Sequence, residues 1–179
     1  MIADGIGLGA RILTLTRVRR DTPSPTPGPH IFFSNHASHF DFAVLRASLP
    51  RFTHPVAAAD YWARNAFRRF LALSVFDAVL VDRSAVDRSH DPLVLMLSAL
   101  DRGHSLLLFP EGTRGDGKTL RPFRSGIYHL ARQRPESVLY PIRIHHRATG
   151  WIVNFRPPTY LLPNEPKLDF LHRLQGILQ

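Results

Sequence analysis

The sequence predicts an α/β fold: a mostly parallel or mixed central sheet with helices on both faces. Three observations carry that expectation. Short runs that are apolar at every position alternate with segments of helical periodicity. Strands without a polar side belong to a sheet covered on both sides. Two late apolar runs, residues 138–144 and 151–155, flank HHRATG (His145 to Gly150) and read as a hairpin that adds an antiparallel edge.

The elements follow in order. Residues 2–18 read as a short amphipathic helix, with Ile2, Ile6 and Leu13 on one face and Arg17, Arg19 and Arg20 at its end. Such a helix either packs on the domain's own core or lies on an anionic membrane surface. Gly5, Gly7 and Gly9 weaken it, and no strand precedes them, so they are not a dinucleotide-binding fingerprint. DTPSPTPGP, Asp21 to Pro29, has Pro at every second position from Pro23 and reads as a stiff extended spacer. The chain thus divides into residues 1–29, an N-terminal helix and Pro-rich spacer, and residues 30–179, the compact domain.

Within that domain, Ile31 to Phe33 is a buried strand, residues 39–49 a helix ended by Pro50, and residues 55–59 a second strand. Residues 60–74 read as one helix, with Trp62, Phe67, Phe70 and Leu71 set against Arg64, Arg68 and Arg69. A strand at 78–81 precedes a well-punctuated helix at 92–102: Asp91 caps it, Pro92 opens it and Gly103 ends it. Residues 105–109 form a strand, 123–133 a helix stopped before Pro135, and 167–178 a last helix.

Composition narrows the chemistry. The chain of 179 residues is long enough for one real core. It has no cysteine, which excludes thiolate nucleophiles, disulfides and Cys-based metal sites. The formal charge is +9, carried by 21 Arg and only Lys118 and Lys167, which favours anionic partners. No window approaches the ~20 apolar residues of a spanning helix, and the first residues do not form a secretory signal.

In sheets of this kind ligands bind at the carboxyl ends of strands. Asn35 and His36 follow the first strand of the compact domain, Asp82 and Arg83 follow strand 78–81, and PEGTR, ending at Arg114, follows strand 105–109. Three strand ends thus deliver His, Asp, Glu and Arg side chains to one rim. SNHASHFD, Ser34 to Asp41, carries two signals at once. Ser38 and Asp41, three residues apart before an apolar run, form a capping-box pattern. Along one continuous helix the five residues from His36 to Asp41 would turn about 500° and leave the side chains on different faces. They meet only if His36 sits in the strand-to-helix turn and Asp41 looks back from the first helical turn. FPEGTR suits an anion-binding turn: Pro110 fixes the exit from the strand, Gly112 allows a conformation closed to other residues, and Arg114 can grip a phosphate with two donors.

NHASHFD (Asn35 to Asp41), VDR (Val81 to Arg83), FPEGTR (Phe109 to Arg114) and VLYPI (Val138 to Ile142), in this order, resemble the PlsC-type glycerolipid acyltransferases, a family that includes lysophosphatidate acyltransferases. The resemblance covers roughly residues 30–145, and PFRSGIYHLA, Pro122 to Ala131, extends it. Asp77 stands where the family's second block usually opens with Gly, Gly115 where a Ser often follows FPEGTR, and Arg124 where Lys is commoner. None of these removes a reactive group.

The resemblance implies a glycerol-phosphate acyltransferase-like fold and acyl transfer from a thioester, acyl-CoA or acyl carrier protein, to a lysophospholipid hydroxyl, with lysophosphatidate the first acceptor to consider. No cofactor and no metal is implied. His36 would act as general base and Asp41 would orient it through its other ring nitrogen. Arg83 and Arg114, with Arg124, would bind the acceptor phosphate. Glu111 would orient an Arg or accept a glycerol hydroxyl, and Gly112 and Thr113 belong to the same substrate-binding turn. The chain has no Gly-x-Ser-x-Gly elbow, so direct attack is expected, with backbone N–H groups near Gly112 or after Asn35 as oxyanion donors. Trp62, Phe67, Phe70 and Leu71 either line the acyl groove or form plain core. The implied location is cytoplasmic, peripheral on the inner face of the cell membrane.

Three other readings stay open at this stage. His36, His39 and Asp41, with His145 and His146, could serve a metal-dependent hydrolase, although adjacent His residues on a strand point to opposite faces. The charge alone would suit a nucleic-acid-binding module, but no recognition-helix pattern or RNP motif is present, and no nucleic-acid partner is expected. A non-catalytic lipid-binding relative would share every motif.

Overall fold

The computed structural model describes residues 2–23, 25, 28–62, 65–81 and 91–179. Seven strands are β1 (Arg17–Arg20), β2 (Ile31–Ser34), β3 (Thr53–Ala58), β4 (Val79–Val81), β5 (Ser105–Leu108), β6 (Leu139–His145) and β7 (Ile152–Phe155). They form one sheet in the order β1-β7-β6-β2-β5-β3-β4. The five strands from β6 to β4 are parallel, β7 is antiparallel to β6, and β1 runs parallel to β7. The mixed α/β sheet is therefore as the alternation of apolar runs predicts, and the 138–155 hairpin forms as read.

Alternation along each strand divides the core into two layers. Ile31, Phe33, Leu106, Leu108 and Leu139 face one side. There they meet α5 (Pro92–Asp101), α6 (Gly126–Gln133) and α7 (Lys167–Leu178). Phe32, Leu107, Tyr140, Ile142 and Ile144 face the other, against α1 (Ile2–Leu13) and α2 (Phe40–Arg46). Apolar residues at every strand position are thus explained: neither face is wet. The α5 signals hold in detail, with Asp91 accepting from the Leu93 N–H at 2.8 Å.

Two elements differ from the expectation. The N-terminal helix ends at Leu13 rather than near residue 18. Leu15 adopts φ +47°, and residues 17–20 leave the helix to form β1, paired residue for residue with β7. The Arg-Val-Arg-Arg run hid this strand because only Val18 packs inward; charge on the other positions suits an edge that must not recruit a second sheet. The sheet therefore takes in residues N-terminal to His30. The single helix read over 60–74 is instead α3 (Ala59–Trp62), then α4 (Ala66–Phe70) passing into a π-helical turn at Leu71–Val75.

Helix α1 lies close on α2 because Gly7 permits it. A Cβ at Gly7 would sit 2.8 Å from the Ala43 carbonyl oxygen and 3.0 Å from the Ala47 Cβ, whereas Gly5 and Gly9 have nothing within 4 Å. Alanine normally favours a helix over glycine by ~1 kcal/mol. Gly5→Ala and Gly9→Ala should therefore raise stability toward denaturant. Gly7→Ala should lower it, by ~1–3 kcal/mol, because the clash outweighs the propensity gain. Equal urea midpoints for the three variants would contradict this packing.

Candidate active site

The carboxyl ends of β2, β5 and β6 meet at one rim, and buried polar side chains hold them together. Asn35, 2% exposed, clamps the end of β2 to β6: its Nδ2 donates to the Ile144 carbonyl at 3.0 Å and its Oδ1 accepts the Ile144 N–H at 2.7 Å. His36 follows in the turn to α2, and Asp41 lies in the first turn of α2, looking back as the capping pattern requires. The His36 Nδ1 donates to Asp41 Oδ2 at 2.9 Å. The N–H groups of Ala37 and Ser38 donate to the same oxygen at 2.7 and 2.8 Å. Only the Asp41 half of the expected capping box forms, because His39 and not Ser38 stands at the N-cap, without a side-chain cap bond. The Ser38 hydroxyl accepts the Phe40 N–H at 3.2 Å, completing the turn.

Asp41 Oδ1 is taken by a residue that sequence reasoning missed. His146, just past the end of β6, donates from Nε2 to Oδ1 at 2.6 Å. The carboxylate has no exposure. Burial pushes its pKa up, but hydrogen bonds from His146, His36 and the Ser38 N–H outweigh that and hold it at about 2. The HH dipeptide was visible in the sequence, and the strand-end rule would have placed His146 on the rim. His145, one residue earlier, turns away, as alternation demands. The two imidazoles are spent on the carboxylate. Among the described residues no set of three His, Cys, Asp or Glu is arranged to hold a metal ion.

Glu111 is buried beside His36, 3% exposed. Its Oε1 accepts the His36 N–H and its Oε2 the Arg121 N–H, both at 2.9 Å. The Gly115 N–H donates to the His36 carbonyl at 2.7 Å. The FPEGTR loop therefore grips the His36 peptide from both ends. Arg143, buried on β6, feels the Glu111 charge: burial pushes the guanidinium pKa down and the carboxylate partly restores it. Gly112 adopts φ +71°, and a Cβ there would come within 3.1 Å of the Arg124 side chain. The His36, Ala37 and Ser38 N–H groups serve carboxylates, and the Gly112 N–H donates to the Phe109 carbonyl at 2.9 Å.

One face of the His36 ring stacks on Phe109, with centroids 4.2 Å apart. The ring borders a cavity of about 340 Å³ whose wall also includes Phe42, Trp62, Ala72, Phe76 and Arg114. Trp62 lines this cavity and Phe70 is 56% exposed, so neither is plain core; the Phe67 and Leu71 side chains lie outside the described residues. Arg114 and Thr113 are exposed at the cavity edge. Arg114 donates to His39 Nε2 and lies over the Tyr61 ring, 5.9 Å from its centroid. Arg124 is exposed beside Gly112. Asp82 and Arg83 lie outside the described residues.

An imidazole held by a buried carboxylate thus stands at the strand ends of an α/β sheet, beside an apolar cavity with an arginine at its lip. Comparison with known proteins narrows this. The family model described as Acyltransferase matches residues 16–145. The 1-acyl-sn-glycerol-3-phosphate acyltransferase alpha of Ovis aries is 31% identical over 114 residues, 61% of this chain and 38% of its own. The lyso-ornithine lipid O-acyltransferase of Brucella abortus (strain 2308) is 25% identical over 187 residues, 96% of this chain and 62% of its own. The fold matches the 1-acyl-sn-glycerophosphate acyltransferase PlsC of Thermotoga maritima, with a TM-score of 0.76 at 15% identity, covering 98% of this chain and 75% of that one. The chain belongs to the acyltransferase family, of PlsC type. It spans 38% and 62% of the length of these two curated relatives.

The depressed Asp41 pKa has a pH consequence. A carboxyl at about 2 when folded, against its ordinary 3.8, contributes stability that is fully present above pH ~4 and lost as pH falls through ~2. The contribution is about 2 kcal/mol. The stability difference between wild type and Asp41→Asn in urea should shrink by about that amount as pH falls from ~4 to ~2. A difference that does not change with pH would refute the carboxylate's role in holding the rim.

Proposed function

We propose that the protein transfers a fatty acyl group from a thioester, acyl-CoA or an acyl carrier protein, to the hydroxyl of a lysophospholipid, with lysophosphatidate as the leading acceptor. The observation that carries this reading is the His36–Asp41 pair at the cavity rim. With Nδ1–H committed to Asp41, the His36 Nε2 is the basic nitrogen. It takes the acceptor hydroxyl proton as the oxygen attacks the thioester carbonyl. The resulting imidazolium is stabilised by the Asp41 charge. Collapse of the tetrahedral intermediate breaks the C–S bond, and the proton returns from Nε2 to the departing thiolate. Atoms and charge balance without a covalent acyl-enzyme. The Thr113 and Arg114 N–H groups have no hydrogen-bond acceptor among the described residues and stand at the cavity edge, which supports them as oxyanion donors.

The apolar cavity takes the acyl chain, and its depth selects length at about 0.8 kcal/mol per buried methylene. Arg114, with Arg83 and Arg124, meets the acceptor's anionic headgroup. The relative from Brucella abortus is named for a lyso-ornithine lipid, so an ornithine-headed acceptor is the second candidate.

The enzyme works at an anionic membrane surface, peripherally on the inner face of the cell membrane. No helix among the described residues is long and apolar enough to cross a bilayer. The outer side of α1 supports surface attachment instead: Leu8, Ile12 and Leu13 are 55, 65 and 79% exposed. Register puts the end of α1 at the active-site rim, because Arg17 pairs with Ile152, which pairs with His145 beside His146. An apolar helix flank at the mouth suits substrates drawn from a bilayer.

Two experiments test this. Thiol release from acyl-CoA or acyl carrier protein should require a lysolipid acceptor, and His36→Ala should lower it at least ~100-fold. In the same assay Arg114→Ala should raise KM for lysophosphatidate more than for a lyso-ornithine lipid; equal effects would remove Arg114 from phosphate recognition, and no thiol release with any pair would remove the enzyme reading. Separately, wild type should co-sediment with vesicles containing anionic lipid while Ile12→Asp/Leu13→Asp stays in the supernatant. Identical sedimentation would refute docking through α1.

A further inference from the structure

Asp41 is shared. Its Oδ2 takes three donors, His36 Nδ1 and the N–H groups of Ala37 and Ser38, while Oδ1 takes only His146 Nε2. We propose that His146 is a positioning residue for acyl transfer: as a neutral Nε2–H donor it fixes the plane of the Asp41 carboxylate for His36, and the site works only while His146 is uncharged. This rests on the reading of His36 as the base.

The geometry requires a donor at Oδ1. The carboxylate is fully buried. Without His146, Oδ1 would be a charged, dry oxygen with no partner, and nothing on that side would oppose rotation of the carboxylate away from His36. The opposite edge of His146 shows why the donor is a neutral imidazole. Its Nδ1 is buried and has no hydrogen-bond partner. The loop backbone closes over it at Gly117, φ +76°, where a Cβ would lie 3.3 Å from Nδ1 and 3.2 Å from the Ala37 Cβ. The indole of Trp151 meets the ring edge-on at 4.5 Å. A neutral ring with Nε2–H leaves only a lone pair in that enclosure. A second proton would create a buried N–H with no acceptor.

Charge gives the same sign. The imidazolium that forms on His36 needs the negative charge of Asp41. A cationic His146 on Oδ1 would cancel that charge and make His36 a poorer base. The other charged or titratable groups near His146 are His145 and Arg147 beside it in the chain, and Asp116 and Lys118 flanking Gly117; only Asp41 is hydrogen-bonded to it. Loss of activity on acidification then involves two protons, one on His36 and one on His146, so the acid limb of log kcat/KM should be steeper than slope one.

The test uses two substitutions in the intact chain. His146→Gln puts an amide N–H near the Nε2 position and cannot titrate; His146→Leu fills the space without a donor. The glutamine variant should keep kcat within about threefold, and the acid limb of log kcat/KM should fall from the steeper wild-type slope to slope one. The leucine variant should lose about tenfold or more in kcat with KM little changed. Nitrogen-15 imidazole spectra should show two coupled titration steps in wild type and one for His36 in the glutamine variant. A leucine variant with wild-type kcat and acid slope overturns the proposal, as does a glutamine variant that keeps the wild-type slope. Should the leucine variant fail to fold, the slope and spectra of the glutamine variant decide. His36→Ala run alongside separates the two readings. Activity surviving in that variant sinks the base assignment; activity lost there but untouched in His146→Leu sinks only the role of His146.

Discussion

The structure around the site depends on how a fully buried carboxylate is solvated. An ionised Asp41 out of water would be prohibitive unless every acceptor position found a donor. The donors come from the turn after β2, from α2's own entry and from the end of β6. Satisfying one side chain therefore fixes three pieces of chain relative to one another. Glu111 repeats the device a few ångströms away: a buried carboxylate, two backbone N–H donors, and two loops that lie 75 and 10 residues from it in sequence. Asn35 does it with a neutral amide. Three polar residues that sequence patterns associate with catalysis are thus also the rivets of the rim.

That double use explains how legible the sequence was. The sheet and its two layers were readable because alternation of apolar runs and helical periods is a local property, and the His36–Asp41 geometry was readable because turn and cap share five residues. What failed was non-local or masked by charge. β1 looked like the tail of a helix because three of its four residues are Arg, and its strand character depends on β7, more than 130 residues away. Nothing in FPEGTR reveals that the His36 N–H will arrive at the Glu111 carboxylate. His146 sat in a dipeptide that invited a metal reading; its bond to Asp41 appears only when β6 is placed beside β2. The broken 60–74 helix falls where the wall of the cavity forms, and an amphipathic pattern there cannot distinguish core from cavity lining.

The rim has two chemically different halves, and His36 stands at their boundary. Toward β3, β4 and β5 the wall is apolar and encloses the cavity. Toward β6 it is polar, with His146, Asn35 and the loop bearing Gly117. The parallel order β6-β2-β5-β3 produces this partition directly, since β2 is the strand between the two halves and His36 lies in the turn that follows it.

The His36 ring is constrained in two independent ways. A hydrogen bond from Nδ1 to Asp41 fixes where one edge points but leaves rotation about that axis open. Stacking on Phe109, 23° from parallel, fixes the plane. Together they leave Nε2 a single direction. The entropy of orienting the ring is thus spent during folding. Phe109 and Glu111 belong to the same loop, so the segment that holds the His36 backbone also holds its ring; a displacement of that loop would disturb both constraints together, while leaving the Asp41 hydrogen bonds to Ala37, Ser38 and His146 intact.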